Sequence, residues 1–411
     1  MGMNAIEKIL ANHSDVDEVR PGDVVMVDVD VTVQFDHARP DVLKIANPDR
    51  LVLLHDHVVP APTVQAANNA KRMREFAERF DVEHYFPVGK HGISHVLVAA
   101  EGYALPGQIL VNADSHTCSS GAMNCLARGM GGPEMLYILC KGETWYLVGA
   151  TTKVVLHGSL PDCVYPRDVI HHLAGTYGDF AGRNLEWYGD GLGTIGIDGR
   201  LTMATISAEL SAEFSLFPYD EVLAEYLEGR AKWPFEPVHP DDDAEYDQVI
   251  DIDLSSLEPQ VVLPDRVAWN TQAAREVAVE RIKVDQAFIG SCANGRLSDF
   301  AVAAEMLDGR TLAPGTRMIV TPGSQDILKE AIRHGYVETL MDAGAVVTNS
   351  TCGACFGGHM GVLADGEVCI TASTRNFKGR MGSPEARVYM GSPATVAASA
   401  VAGYIIDPRD L

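Results

Sequence analysis

Three cysteines set the chemical problem posed by this chain. Cys292 stands in Gly-Ser-Cys-Ala-Asn-Gly-Arg, and Cys352 and Cys355 form a Cys-x-x-Cys pair in Ser-Thr-Cys-Gly-Ala-Cys-Phe. Three thiolates can hold an iron–sulfur cluster while leaving one iron open. A ferredoxin-type electron carrier takes four cysteine ligands instead, and an open coordination position makes a Lewis acid, by the logic that separates catalytic from structural zinc sites. Spacing alone leaves two other readings: a structural zinc site in which Cys292 and Cys369 complete the pair, or a redox dithiol. Cys118, Cys125, Cys140, Cys163 and Cys369 otherwise read as small buried side chains. Cys118 stands out among them because it lies two residues from His116.

The elements that must position these residues are visible as short apolar runs. Leu51–Leu54 leads into His55-Asp56-His57, Gln108–Val111 into Asp114-Ser115-His116, and Ala287–Ile289 into Ser291-Cys292. Met318–Val320 leads to Pro322-Gly323-Ser324, Ala345–Val347 to the cysteine pair, and Val368–Ile370 to Thr374-Arg375. Each run predicts a buried strand with a candidate reactive residue at its C-terminal end, the edge where parallel α/β sheets bind ligands. Helices are expected to alternate with them. Residues 68–80 predict one; Ser324 is placed to cap another that ends near His334 before Gly335; Ser392-Pro393 opens an alanine-rich third. The polar, turn-rich segment 238–259 reads as a loop and connector before a last domain. Gly191-Leu-Gly193-Thr-Ile-Gly196 matches the dinucleotide fingerprint by letter, but no clear apolar strand precedes it and no convincing helix opens on it, so it reads as a glycine turn.

Composition narrows the class. With 46% hydrophobic and 21% charged residues over 411 positions, the chain is globular, with room for two to four domains. A net charge of -24 argues against nucleic acid or an anionic membrane as partner. An anionic substrate would have to be drawn in by local arginines and metal against that overall field. No signal peptide opens the chain and no apolar run reaches membrane-spanning length. The eight cysteines are scattered through a large chain, which points to the reducing cytoplasm.

Seven motifs in one order carry a resemblance. Residues 290–296, Cys352-x-x-Cys355 and Arg375-Asn-Phe-Lys-Gly-Arg380 resemble the cluster and substrate motifs of the aconitase superfamily. Upstream, His55-Asp56-His57, His95, Ala113-Asp114-Ser115-His116-Thr117 and Ala208-Glu209 ahead of Phe217-Pro-Tyr fall where that superfamily keeps acid–base residues. The chain lacks the fourth, swivelling domain of single-chain members and its Gly-Ser-Ser-Arg-type loop. It is therefore similar to the large subunits of two-subunit hydro-lyases, the group that includes 3-isopropylmalate dehydratase, homoaconitase and the dimethylmalate or maleate hydratases.

The resemblance implies three α/β domains with mostly parallel sheets around a central [4Fe–4S] cluster, at 1–150, 151–284 and 285–411. It implies Cys292, Cys352 and Cys355 as cluster ligands. Three carboxylate–imidazole pairs are implied as acid–base groups: Asp56 with His57, His95 with Asp114, and His116 with Glu209, with Ser115 in the same motif. A carboxylate fixes the imidazole tautomer and supports its protonated form. Arg375 and Arg380 are implied as clamps for the carboxylates of a small 2-hydroxy dicarboxylic acid, which is reversibly dehydrated. The base that takes the neighbouring proton is, in the family, a serine on the swivelling domain, so a small-subunit partner must supply it. Three positions depart from the family pattern. Thr205 and Thr374 stand where relatives keep an asparagine beside the cluster, and Val29 where they keep a glutamine or histidine that meets substrate. The apolar Val29 suggests a smaller or less polar substrate, such as maleate, citraconate or dimethylmaleate. A non-catalytic protein holding a closed cluster or zinc is the reading of a different class.

Overall fold

The computed structural model describes residues 2–36 and 42–411. Three sheets, each mostly parallel, follow one another along the chain. The first has the spatial order His84–Phe86, Leu51–Leu54, Val31–Phe35, Ile109–Asn112, Leu126–Gly129, all parallel. Leu51–Leu54 and Ile109–Asn112 are buried at every position, as continuous apolar strands covered on both faces must be. A two-stranded antiparallel ribbon, Val24–Asp28 with Glu143–Leu147, stands apart from this sheet.

The second sheet is parallel, in the order Ser215–Leu216, Arg183–Tyr188, Ala150–His157, Gln248–Asp253. Its last strand lies inside the segment expected to be a loop. Gln248–Asp253 alternates outward charge with buried Ile250 and Ile252, a period-2 signal that the acidic, proline-flanked surroundings outweigh in sequence. The glycine motif is also corrected in its setting: Arg183–Tyr188 is a strand directly before it, and the helix Ile197–Ser207 opens on Gly196. The hollow at that helix start is lined by Asp198 and Asp299, so a phosphate there would meet carboxylates.

The third sheet has seven strands. Gln286–Ile289, Arg317–Val320, Val346–Val347, Val368–Thr371 and Arg387–Met390 run parallel, and Gln260–Val262 and Thr271–Ala273 add antiparallel at one edge. The expected boundary at 284/285 thus falls between strands of one sheet. All six apolar runs named from sequence become strands, with ends shifted by at most one residue. The three expected helices form as Val64–Arg79, Gln325–Arg333 and Pro393–Ala402, and Ser324 and Ser392 cap the last two by accepting from Ile327 N and Thr395 N.

One core joins the first two sheets through Ile197–Ser207, a helix buried on all sides. It carries Arg200, fully buried, whose guanidinium forks onto Asp220 at 2.8 and 2.6 Å and donates to the carbonyls of Ile195 and Leu192. An Arg at that depth is tolerable only because each of its three nitrogens finds a partner. A short turn, Thr117–Met123, packs beside this helix, and Gly121 is required there: a Cβ would lie 1.7 Å from the carbonyl oxygen of Ser215. A second core fills the third sheet.

Candidate active site

The C-terminal strand ends of the first and third sheets meet around a cavity of about 260 Å³. From the first sheet come His57, just beyond Leu51–Leu54, and Asp114 and His116, just beyond Ile109–Asn112; His95 enters from the buried helix Ser94–Ala100. From the third sheet come Cys292, Cys352, Cys355, Thr374, Arg375 and Arg380. Phe356 and Ile93 complete the lining.

The first wall is a chain of matched charges. His95 Nε2 lies 2.8 Å from Asp114 Oδ1, and His116 Nε2 lies 2.8 Å from Glu209 Oε1. Asp114 also accepts from the His116 backbone N–H at 2.8 Å. Burial works against the charge on Asp114, yet His95 and His116 hold its carboxyl well below the ordinary range. Burial likewise opposes the charge on His116, but Asp114 and Glu209 raise its pKa. Glu209 sits on the turn Ala208–Leu210 that ends the buried helix, and it accepts from Arg375 Nε at 2.6 Å as well. Its carboxyl is lowered although burial pushes it up, because His116 and Arg375 outweigh that cost. Ser115, exposed, accepts from Arg375 Nη2 at 2.9 Å.

His57 faces Asp56, as expected, and two carboxylates besides. Its Nδ1 is 3.3 Å from Asp56 Oδ1 but aligned for no hydrogen bond, and it meets two further carboxylates, Asp36 at 3.7 Å and Asp114 at 3.6 Å from Nε2. Desolvation lowers the imidazole pKa, yet these carboxylates raise it to about 10. Asp36 accepts the backbone N–H groups of Asp56 and His57 at 3.0 and 2.7 Å, which fixes the turn that presents them. Asp36 was missed in the sequence, although it directly follows the strand Val31–Phe35 and so carries the same strand-end signature. His55 points elsewhere: its Nε2 is 2.9 Å from the Tyr85 hydroxyl, and burial, with His91 and Arg74, lowers its pKa to about 4.

The second wall is built on sharp turns. Ser291, before Cys292, has φ of 72°, a left-handed conformation costly for a residue with a side chain and held here by the strand-to-helix turn. Gly353, at φ of 55°, lets the turn Gly353–Phe356 carry Cys352 and Cys355 to the same cavity. Thr351 Oγ1 donates to the carbonyl oxygens of Asp56 and His57 at 3.1 and 2.8 Å, tying the cysteine loop to the opposite wall.

The three thiols are unlike in charge. Burial, then Cys355 and Asp114, pushes the Cys292 thiol up; burial, then Asp56 and the other two thiols, does the same to Cys352. For Cys355 burial is overcome by Arg380, whose Nη2 lies 3.9 Å from the sulfur, and its pKa falls. The all-sulfur donor set suits an iron–sulfur group. Cys369, the other thiol of the zinc reading, is packed among Phe288, Leu363 and Val388 and does not line the cavity. Cys118 donates to the carbonyl of Ala204, and burial pushes its thiol up to about 12.

Arg380 Nε is buried without a hydrogen-bond partner, and Arg375 is already held by Glu209 and Ser115. Of the departures from the family pattern, Thr374 Oγ1 lies 3.8 Å from Cys355 Sγ, whereas Thr205 donates back to Leu201 within its own helix. Val29 is 4% exposed, packed in the apolar cluster with Ile6 and Ile109, and does not line the cavity. A residue that sequence gave no sign of is Arg167. It is fully buried, on the helix Pro166–Tyr177, and donates to Asn294 Oδ1 at 2.7 Å, to the Ala372 carbonyl at 2.6 Å and to the Ser373 carbonyl. It thereby joins the Cys292 turn to the loop that carries Thr374 and Arg375.

Residues 7–403 match the aconitase family (aconitate hydratase). The chain is 51% identical to the 3-isopropylmalate dehydratase large subunit of Mycolicibacterium smegmatis, over all of this chain and 97% of that protein. It is 42% and 40% identical to the proteins of the same description from Nitratiruptor sp. and Halothermothrix orenii, over the full length of both chains in each case. Among solved structures, Thermococcus kodakaraensis aconitase X in its holo-form covers 93% of this chain and 92% of its own, at a TM-score of 0.49 and 13% identity.

Proposed function

The chain belongs to the aconitase family, and from that premise we propose that it is the large subunit of a 3-isopropylmalate dehydratase-type hydro-lyase, acting on a small branched 2-hydroxy dicarboxylic acid in the cytoplasm. The observation that carries this reading is the 51% identity over the whole chain to a protein of that name, together with one cavity that holds thiols, acid–base pairs and arginines. Family membership implies an iron–sulfur centre. Cys292, Cys352 and Cys355 would hold it as [4Fe–4S], and when bound it supplies a Lewis-acidic iron for the departing hydroxyl.

The chain's own residues do the rest. Arg380, with its unpartnered Nε, binds a substrate carboxylate, and Arg375 borders the same space, held in place by Glu209 and Ser115. His116, its charged form supported by Asp114 and Glu209, holds a proton beside the leaving hydroxyl, and His95 is oriented by Asp114. His57, charged and facing three carboxylates, is a second proton store. Asp56 orients the His57 turn through the Ser94 backbone N–H. A small subunit supplies the serine that takes the proton from the neighbouring carbon. Val29 lies in the core, so it gives no ground for preferring maleate, citraconate or dimethylmaleate.

The test is to purify the chain anaerobically, add its small subunit, and follow interconversion of 2- and 3-isopropylmalate alongside hydration of maleate, citraconate and dimethylmaleate. Preferential turnover of the isopropylmalates supports the reading. Turnover of a hydratase substrate in their place would contradict it.

A further inference from the structure

We propose that the cluster-free chain binds one divalent ion of the zinc class on Asp56, His57 and Cys352, a set different from the three cysteines. Among the described residues these three form a group whose ligand atoms all lie within 4.8 Å of one another. Asp56 Oδ1 is 3.3 Å from His57 Nδ1 and 3.4 Å from Cys352 Sγ. Tetrahedral zinc, with Zn–O and Zn–N of about 2.0 Å and Zn–S of about 2.3 Å, sets O and N about 3.3 Å apart and O and S about 3.5 Å apart. Two of the three edges between the donor atoms therefore already match that tetrahedron, and the third lies within 4.8 Å.

Their surroundings orient them. His57 Nδ1 is buried with no hydrogen-bond partner, while its far nitrogen faces Asp114 Oδ2 at 3.6 Å, the position of an outer carboxylate behind a metal-bound imidazole. Asp56 uses its other oxygen to accept from the Ser94 N–H at 2.8 Å, while Oδ1 accepts from the Cys352 thiol and turns to the ion once that thiol and His57 release their protons to solvent on binding. Asp36, 3.7 Å from His57 Nδ1, adds a third carboxylate to a spot where positive charge is wanted. Mixed oxygen, nitrogen and sulfur donors favour a borderline ion over the oxygen-seeking magnesium or calcium. Because His57 and Cys352 line the cavity, a fourth coordination position faces it.

Cys352 cannot serve both sets at once, so this ion and a three-cysteine cluster exclude each other. The ion occupies the chain before a cluster is inserted or after it is lost. The site stands on its own geometry and does not depend on the activity proposed above.

The experiment titrates the full chain, stripped by chelation under reducing conditions, with Co2+ as the spectroscopic stand-in for Zn2+. Wild type should take up one ion with a thiolate-to-cobalt charge-transfer band, and Zn2+ should displace it. Cys352→Ser should abolish the band. His57→Ala should raise the Co2+ dissociation constant by at least about 100-fold, since even outer-shell changes cost 10–100-fold. Cys292→Ser and Cys355→Ser should keep both band and affinity, although neither could hold a three-cysteine cluster. Melting curves of each variant separate ligand loss from misfolding, and His57→Ala keeps the proposal testable if Cys352→Ser does not fold. The proposal is overturned if wild type binds no stoichiometric Co2+, or if Cys292→Ser and Cys355→Ser lose the band as fully as Cys352→Ser.

Discussion

On the wall of the cavity built by the first sheet, His95, His116 and His57 each face carboxylates of this same chain. On the wall built by the third sheet several groups are left unmatched: the Cys292 and Cys352 thiols are pushed up in pKa by burial and by neighbouring thiols and carboxylates, and Arg380 keeps an unpaired Nε although its Nη2 faces Cys355. The first wall is largely finished by folding, although His57 Nδ1 is left without a hydrogen-bond partner. The second is finished only by guests, a metal group on the sulfurs and an anion on the arginine. Proton-handling groups must be poised before substrate arrives, whereas groups that grip a cofactor or substrate are useful only if folding leaves them unsatisfied.

The comparison breaks most decisively at the sulfurs. Replacing Cys292, Cys352 or Cys355 by Ser should each abolish the cluster's absorption and all detectable turnover while far-ultraviolet circular dichroism stays native. A variant that keeps its cluster would show that its sulfur is not a ligand. Next in size is the partner's contribution. The reconstituted chain alone should turn over about 10²–10⁴-fold more slowly than with a small subunit, the usual cost of a missing catalytic base. Equal rates would place the base within these 411 residues.

A smaller effect sharpens the contrast on the arginine. Arg380→Lys keeps the charge but loses the planar fork; with charge-assisted bonds contributing about 1.5–3 kcal/mol, the KM should rise roughly 10- to 100-fold at unchanged iron content. An unaltered KM would remove Arg380 from the substrate site.

The smallest effect belongs to the finished wall. The folded pKa of His57, about 10, lies above its ordinary 6.5. Its charged form therefore stabilises the fold in full below about pH 6.5, and that contribution is lost as pH rises through about 10. The melting temperature of the cluster-free chain should fall more steeply across this window for wild type than for His57→Gln. Parallel curves would mean that the three carboxylates do not hold the proton.

Much of this was legible in sequence for a physical reason. A short apolar run ending in a polar residue marks a strand's C-terminal edge, and that rule points to His57, Asp114, His116, Cys292 and Thr374 from sequence alone. It would have located Asp36 too. The pairings themselves, such as His116 with Glu209 across 93 positions, came from resemblance, since no local signal encodes a contact so distant in sequence. Arg167 illustrates what stays hidden: an isolated arginine after Tyr165-Pro166 reads as surface, and only tertiary packing turns it into the clamp between two loops of the site. Val29 misled in the opposite direction. Its place in the motif suggested substrate contact, but Val29, in the short connection between Val24–Asp28 and Val31–Phe35, packs its side chain into the apolar cluster.

The central claim, a cluster on three cysteines with an open iron, is tested most directly by counting iron and acid-labile sulfide. The anaerobic chain would be reconstituted with both in excess, and counted again after mild oxidation. The account predicts about four irons and four sulfides per chain, with one iron lost first on oxidation while the rest of the cluster persists. A single metal ion per chain without sulfide would contradict it.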